Sequence, residues 1–226
     1  MDALILADSD GPTRDELDRA WPGWDAAVGF VVAADGGARH AAPLAVRIDR
    51  WVGDGDSLGA EALDRLAATG VPIEMARPDK DESDTELAVR AALREGADGI
   101  VIVGGLGGRR IDHALANIGL LAMPELGGRS AVILDGRSRL TYLQAPGGTS
   151  GPVDRPLTGR VGDLVSLLPQ GPGVVGVTTR GLEYPLVDEP LPLGGARGLS
   201  NVRIVADAGV SVRAGSLLVV ESPATL

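Results

Sequence analysis

The sequence predicts an α/β domain followed by an all-β domain. Residues 1–136 alternate short apolar runs with segments of helical period, which is typical of a parallel sheet covered by helices on both faces. From residue 137 onward, glycine and proline separate short strand-like runs, which favours an antiparallel β-sandwich. The chain has 226 residues and can bury a core in each part. We therefore expect two domains, 1–136 and 137–226.

The elements of the first domain follow from apolar runs and helix-start signals. The predicted strands are residues 3–7, 30–34, 48–52, 71–75, 100–103 and 131–134. Thr13 and Ser83 are each followed three residues later by glutamate, which is the capping-box pattern at a helix start. Two further helices are predicted, over residues 61–68 and from the apolar spacing at 111, 115, 118 and 122.

The second domain is predicted to contain only strands. The candidate strands are residues 140–143, 164–168, 174–179, 202–205 and 216–220. Residues 147–151 are expected to form a loop within this domain.

The composition excludes several classes of function. A net charge of −10 argues against a nucleic-acid-binding protein, which needs a basic face for phosphates. The chain has no cysteine, which excludes disulfides and thiolate chemistry. No apolar run approaches the ~20 residues of a membrane span. No basic segment precedes the first apolar run, so we expect no signal peptide and a cytoplasmic protein.

Residues 51–59, WVGDGDSLG, are compatible with two different chemistries. Ser57 has the G-x-S-x-G spacing of a hydrolase nucleophile and lies in a GDSL sequence like that of one esterase family. A serine nucleophile needs a histidine base, and no histidine follows His113. We therefore place Ser57 at the cap or first turn of the following helix. Asp54 and Asp56, two residues apart, would point the same way in an extended segment, as a metal site requires.

The segment DKDESD, residues 79–84, adds further carboxylates after the next predicted strand. With Ser83 as the cap, Asp84 lies in the first turn of a helix. Ligands bind at the carboxyl ends of strands in open parallel sheets, so Asp84 should meet Asp54 and Asp56 there. Carboxylate oxygens suit Mg²⁺, and Lys80 can pair with a phosphate as a point charge.

A glycine-rich segment, GGLGGRRIDH, follows the predicted strand at residues 100–103. Its glycines allow close approach of a ligand, and the helix start offers free N–H groups to a phosphate. Arg109 or Arg110 would add positive charge, and Asp112 and His113 begin the helix. The spacing matches neither common nucleotide-binding glycine motif, so it leaves the ligand open.

Five motifs in order resemble the thiamine pyrophosphokinase family: ADGG at 34–37, VGDGDS at 52–57, PDKDESD at 78–84, GGLGGRRIDHALANI at 104–118 and GLSN at 198–201. The resemblance implies a Rossmann-like α/β nucleotide-binding domain joined to a β-sandwich. It also implies Mg²⁺-dependent transfer of diphosphate from ATP to thiamine, with release of AMP. The family works as a homodimer and binds thiamine near the dimer interface.

The resemblance also implies roles for individual residues. Asp54, Asp56 and Asp84 would hold Mg²⁺. The nucleotide-binding candidates are Asp35, Lys80, Asp81, Arg109 and His113. Arg110 aligns with the phosphate-binding arginine, and Asp112 would face the thiamine hydroxyl or ring. Ser200 and Asn201 would contact thiamine from the second domain.

The sequence departs from the family pattern after its first strand. Paired glycines are expected there, but the chain reads Ala7-Asp8-Ser9-Asp10, and an acid in a phosphate cradle would repel ATP unless it turned away. The second domain has no tryptophan to stack on thiamine. Three alternatives therefore stay open: a diphosphokinase for another alcohol such as a hydroxymethyl pterin, a non-catalytic thiamine or nucleotide sensor, and, least favoured, the esterase.

Overall fold

The structure, a computed structural model, describes residues 1–148 and 151–224. It divides into two compact units, Met1–Gly136 and Arg137–Leu226. Every helix within the described residues lies in the first unit. None of the described helices has both the length and the apolar character needed to cross a membrane.

The first unit is built on six strands that pair in parallel. They are β1 (Asp2–Leu6), β2 (Val28–Ala34), β3 (Arg50–Gly53), β4 (Ile73–Met75), β5 (Gly99–Val103) and β6 (Ser130–Leu134). Their order is β4-β3-β2-β1-β5-β6. Each overlaps one predicted strand, so the prediction of a parallel sheet is confirmed.

Four α-helices connect these strands: α1 (Arg14–Ala20), α2 (Ala60–Ala68), α3 (Asp84–Arg94) and α4 (Ile111–Leu120). Short 3-10 helices at Asp35–His40 and Pro124–Leu126 were not predicted. Thr13 and Glu16 form the predicted capping box of α1, and the Ser83 side chain accepts a hydrogen bond from the backbone of Glu86. These short polar side chains satisfy free N–H groups at the helix starts.

The apolar core of the first unit lies against the sheet. Leu4, Leu6 and Trp51 are fully buried in one apolar cluster. Helix α3 packs on β1, β2 and β3 through small buried residues such as Ala88. The predicted apolar face of α4 is wrong in part, because Ile111 and Leu115 are 72% and 62% exposed. The buried positions of α4 are Ala114, Asn117 and Leu120, so its buried face is rotated by about one residue from the predicted face.

The second unit consists of antiparallel strands. They are β7 (Arg139–Pro146), β8 (Val153–Pro156), β9 (Leu164–Arg180), β10 (Glu189–Leu191), β11 (Asn201–Val202), β12 (Gly209–Val212) and β13 (Ala214–Ser222). Strand β13 pairs with both β7 and β9, and β12 pairs with β8 and β9. Two predicted strands, 164–168 and 174–179, are parts of the single long strand β9. Strands β8, β10 and β12 were not predicted.

The topology of the first unit places a crevice at the carboxyl end of its sheet. The chain moves from β1 toward β2 on one side, whereas β5 lies on the other side of β1. In an open parallel sheet, ligands bind where the strand order reverses in this way. The loops after β1 and β5 therefore flank the expected binding position.

Candidate active site

Three carboxylates converge at the carboxyl end of the sheet. Asp35 follows β2, Asp54 follows β3, and Asp84 begins α3. One carboxylate oxygen from each lies within 4.8 Å of the others. The sequence predicted Asp54 and Asp84 in a shared group but placed Asp35 only among the nucleotide-binding candidates.

The loop that contains Ser57 holds the Asp35 side chain in place. Its carboxylate accepts hydrogen bonds from the backbone N–H of Ser57 at 3.2 Å and of Leu58 at 3.1 Å. Asp35 is only 1% exposed, and this burial raises the pKa of its carboxyl to about 6, to which the nearby Asp56 and Asp84 also contribute. The expectation that Ser57 caps or begins α2 is wrong, because α2 starts at Ala60 and Ser57 lies in the preceding turn.

Lys80 bridges the other two carboxylates of the cluster. Its Nζ lies 3.0 Å from Asp54 Oδ2 and 3.1 Å from Asp84 Oδ1. The hydrogen bond from Lys80 holds the pKa of Asp54 below its usual value, whereas burial raises the pKa of Asp84. Asp84 Oδ1 is buried and accepts no hydrogen bond of good geometry, so its contact with Lys80 is an ion pair only.

Asp56 does not belong to this group of three carboxylates, although it lines a cavity together with Asp54 and Asp84. The extended conformation assumed for residues 54–56 is wrong, because the chain turns at Gly55, where φ is 84°. Asp54 Oδ1 instead accepts a hydrogen bond from the backbone N–H of Asp56 at 3.2 Å. The two side chains therefore do not project in parallel from one strand.

A cavity of about 740 Å³ opens over Asp54 and Asp84 within the first unit, whereas the buried Asp35 is not among its lining residues. The predicted site residues that line it are Asp54, Asp56, Lys80, Asp84, Arg109, Arg110, Asp112 and His113. Asp81 is exposed and is not among the lining residues, so the structure does not bring this nucleotide-binding candidate into the cavity. The volume is in the range of small-molecule sites.

The two adjacent arginines of the glycine-rich loop differ in their contacts. Arg110 binds Asp112 through two parallel contacts, Nε to Oδ1 at 2.9 Å and Nη2 to Oδ2 at 2.5 Å. This pairing lowers the pKa of Asp112 to about 2. Arg109 lines the cavity, and among the described residues it has no hydrogen bond or ion pair. Arg109 is therefore the arginine that is available to an added phosphate.

Sequence reasoning did not identify Arg39 and Asn117, which also line the cavity. Arg39 forms an ion pair with the Asp8 carboxylate and donates a hydrogen bond to the Ser9 carbonyl. The ion pair neutralises Asp8, the acid that the sequence analysis expected to repel ATP. Buried Asn117 donates to the Gly105 carbonyl at 3.0 Å and fixes the glycine-rich loop.

The glycines after β5 serve mainly to fit neighbouring loops together. A Cβ at Gly104, where φ is 74°, would lie 2.5 Å from the Ala7 carbonyl oxygen. A Cβ at Gly107 would lie 2.4 Å from the Asp10 carbonyl oxygen. Both clashes are with backbone atoms, so these positions require glycine to bring the β5 loop against the β1 loop.

The two residues predicted to contact thiamine from the second unit, Ser200 and Asn201, differ in burial. The buried Asn201 amide binds the backbone of Tyr184 twice, accepting from its N–H at 2.9 Å and donating to its carbonyl at 2.6 Å. Ser200 is exposed and has a positive φ of 55°. The Tyr184 side chain is 54% exposed. Asn201 therefore holds a turn that presents Tyr184 and Ser200 to solvent.

The carboxylate cluster fits a divalent cation of the magnesium type. Mg²⁺ takes oxygen ligands, usually one or two carboxylates completed by phosphates and water. The three carboxylates supply such oxygens within 4.8 Å of one another, without a nitrogen or sulfur ligand. The buried Asp84 Oδ1 accepts no hydrogen bond of good geometry and has the Lys80 ammonium as its ion-pair partner, so an added cation would take the place of that ammonium.

The raised pKa of Asp35 predicts a pH-dependent stability in metal-free buffer. The pKa of the Asp35 carboxyl is about 6 in the folded protein, compared with an ordinary value of 3.8. The folded state therefore holds this proton more tightly than the unfolded state does. Its contribution to the free energy of unfolding is therefore present below pH 4 and is lost as the pH rises to about 6, a loss of about 2–3 kcal/mol. Urea unfolding of the wild type and of Asp35→Asn across this range measures it. A difference between the two proteins that stays constant with pH would contradict the assignment.

Two parts of the chain match known protein-family domains. Residues 24–132 match the thiamin pyrophosphokinase catalytic domain, and residues 153–219 match the thiamin pyrophosphokinase vitamin B1 binding domain. A thiamine pyrophosphokinase from Bacillus subtilis (strain 168) is 27% identical over 170 residues, which cover 75% of this chain and 76% of that protein.

Two solved structures show the same fold along the whole chain. The thiamin pyrophosphokinase family protein from Enterococcus faecalis has a TM-score of 0.80 and 27% identity, with 99% of each chain covered. The thiamin pyrophosphokinase from Geobacillus thermodenitrificans has a TM-score of 0.76 and 26% identity, with 99% of this chain and 98% of that chain covered. Because both domains of the family match in order and span most of its length, the chain belongs to the thiamin pyrophosphokinase family.

Proposed function

We propose that this protein transfers diphosphate from ATP to the hydroxyl of thiamine, giving thiamine diphosphate and AMP, and that it requires Mg²⁺. Membership of the family supports the reaction and the thiamine substrate. The observation that carries the site assignment is the convergence of Asp35, Asp54 and Asp84 beside a cavity that arginines also line. Acidic groups for a metal and basic groups for phosphates are what diphosphate transfer requires.

Asp35, Asp54 and Asp84 are the residues that would hold the metal, and Asp56 stays a candidate beside them. A bound Mg²⁺ supplies positive charge that stabilises the phosphate oxygens during transfer. Asp35 is the most firmly positioned of the group, because two backbone N–H groups bind it. The Asp54 carboxylate is placed by the backbone of Asp56 and by Lys80.

The basic residues of the cavity position the triphosphate. Arg109 has no hydrogen bond or ion pair among the described residues, and Lys80 and Arg39 line the same cavity. The thiamine hydroxyl oxygen attacks the β-phosphorus, the bond from that phosphorus to the bridging α–β oxygen breaks, and AMP leaves. Holding the two reactants in line supplies most of the rate enhancement in such transfers.

Asp112 orients the thiamine hydroxyl rather than removing its proton. The Arg110 side chain lowers the pKa of Asp112 to about 2, so this carboxylate is ionised and is a weak base. It can accept a hydrogen bond from the hydroxyl and direct an oxygen lone pair toward the phosphorus. The proton then passes to solvent as the oxygen–phosphorus bond forms.

The second unit is proposed to be a β-sandwich that binds thiamine and forms a homodimer. The exposed Ser200 and Tyr184 ring, positioned by Asn201, are the candidate thiamine contacts. Apolar side chains exposed on the second unit, among them Val187, Leu193 and Leu199, support a surface that becomes buried in the assembly. The α/β unit is proposed to be Rossmann-like in its binding of the nucleotide.

We expect AMP to form from ATP only when both thiamine and Mg²⁺ are present. Chromatographic detection of AMP and thiamine diphosphate in equal amounts measures this directly. Omission of thiamine and substitution of a hydroxymethyl pterin are the controls. AMP formed with the pterin but not with thiamine would replace the substrate assignment. Tight thiamine binding without AMP formation would indicate a sensor and contradict the proposed activity.

A further inference from the structure

The chain contains one lysine, and that lysine lies in the carboxylate cluster. Lys and Arg together number 21, and every one of these residues other than Lys80 is arginine. The other side-chain ion pairs of the described residues are therefore made by arginine, as in the pairs of Arg65 with Glu61 and Arg197 with Glu189. Lys80, between Asp54 and Asp84, is the one side-chain ammonium group; the amino-terminal ammonium of Met1 pairs with Asp98 away from this cluster.

An ammonium group differs from a guanidinium in a way that matters at this position. It is a compact point charge on a flexible stem, whereas guanidinium is a wide planar fork. The Lys80 Nζ contacts one oxygen of Asp54 and one of Asp84, at 3.0 and 3.1 Å. The side chains of Lys80 and Asp54 are each only 13% exposed. A compact cation thus occupies the space between two carboxylates of the proposed metal site.

We propose that Lys80 is a displaceable internal cation: it compensates the carboxylate cluster before substrate binds, and it moves to the triphosphate when metal and nucleotide enter together. This inference rests on the proposed function, because it takes Asp54 and Asp84 as metal ligands. The same two carboxylates cannot both hold the Lys80 ammonium at about 3 Å and surround a divalent cation without strong repulsion between the two positive charges.

The arrangement makes free metal a poor ligand for the protein alone. A divalent cation that enters without nucleotide must separate Lys80 from Asp54 and Asp84 and leaves the ammonium without a carboxylate partner. When the cation enters with a triphosphate, the phosphate oxygens supply a new partner for the ammonium on the same cavity. Lys80 therefore couples metal binding to nucleotide binding.

The first test measures metal binding by the whole protein without nucleotide. Mn²⁺ replaces Mg²⁺ as the probe, because electron paramagnetic resonance reports the free ion. We expect Lys80→Met to bind Mn²⁺ at least about tenfold more tightly than the wild type, because the competing charge is gone. Arg65→Met, which removes an exposed cation of α2 outside the cavity, should bind as the wild type does. Equal Mn²⁺ affinity in wild type and Lys80→Met overturns the inference.

The second test uses the wild type, so it does not depend on the folding of a variant. Lysine labelled with ¹³C at Cε gives a single side-chain signal, because Lys80 is the one lysine. We expect this signal to stay in place when millimolar Mg²⁺ is added alone and to shift when Mg²⁺ is added with α,β-methylene ATP, which cannot transfer its diphosphate. A signal that shifts fully with Mg²⁺ alone, or never shifts, overturns the inference.

The two tests also separate this inference from the proposed function. If the wild type forms thiamine diphosphate but the Lys80 signal never moves, Lys80 is not displaced although the activity stands. If neither the wild type nor Lys80→Met binds Mn²⁺, and the wild type forms no AMP, then the metal site itself is absent and both proposals fail.

Discussion

Replacing Asp84 with asparagine is expected to reduce turnover by on the order of 1000-fold or more while the fold stays intact. Asp84 contributes a carboxylate oxygen to the cluster, and its Oδ1 is buried without a hydrogen bond of good geometry. An amide fills the same volume but removes the negative charge on which a divalent cation depends. The substitution should therefore weaken binding of the cation and leave the packing of α3 unchanged.

The stability of the Asp84→Asn protein should stay close to that of the wild type for a separate reason. Burial raises the pKa of Asp84, which means that the charged form is partly disfavoured in the folded protein. Asparagine removes that cost and at the same time removes one partner of Lys80, which keeps Asp54. The two effects oppose each other, so far-UV circular dichroism and the melting temperature should change little.

The matched control for Asp84→Asn is Asp79→Asn. Asp79 belongs to the same acidic segment, but its side chain is 68% exposed, pairs with Arg77 and does not line the cavity. Its replacement should leave kcat and KM near the wild-type values. Asp54→Asn should resemble Asp84→Asn in the steady-state AMP assay. Near-normal turnover of both Asp54→Asn and Asp84→Asn would remove the carboxylate cluster from the mechanism.

The sheet of the first unit could be predicted from the sequence because local and overall signals agree there. Runs such as residues 100–103 are apolar on both faces, as a strand covered by helices requires, and β5 is fully buried. Thr13 and Ser83 mark helix starts by short-range chemistry: Thr13 forms the full predicted capping box, and Ser83 forms one of its two hydrogen bonds. The carboxyl ends of parallel strands then bring Asp54 and Asp84 to one edge.

The exact membership of the carboxylate cluster could not be predicted because it depends on a local turn. The positive φ at Gly55 turns the chain away from the extended path assumed for Asp54 and Asp56. Asp35 takes the inner position because the N–H groups of that same turn bind it, a contact between segments 22 residues apart. No periodicity in the sequence reports such a contact.

The second unit was predicted less completely because its strands carry weak signals. Strand β9 continues through Gly171, Pro172 and Gly173, residues that ordinarily mark the end of a strand. Strand β8 contains two charged or polar residues and ends in proline. Pairing with neighbouring strands, and not the strand propensity of the residues, decides the conformation of these segments.

For α4 in the first unit, the helical spacing was predicted correctly. The spacing alone does not report which face of the helix packs against the rest of the protein.

The largest effect on stability is expected at Glu221, near the end of β13. Its side chain is 2% exposed, and it pairs with Arg139 at 2.9 Å. One carboxylate oxygen accepts from the backbone N–H groups of Thr158 and Gly159, both at 2.8 Å, and the other accepts from the Thr158 hydroxyl at 3.2 Å. A single buried carboxylate therefore ties β7, β13 and the loop after β8 together.

Glu221→Ala should lower the free energy of unfolding by about 3–5 kcal/mol, because it removes a buried carboxylate and leaves two N–H groups and the Arg139 charge without that partner. Glu221→Gln should cost less, since its carbonyl oxygen can still accept from both N–H groups. Glu189→Ala is the matched control: Glu189 is more exposed, pairs with Arg197, and should cost less than about 1 kcal/mol. Both tyrosines lie in the second unit and all three tryptophans in the first, so tyrosine absorbance during urea unfolding reports on the affected unit. A cost for Glu221→Ala no larger than for Glu189→Ala would show that the carboxylate does not hold these strands together.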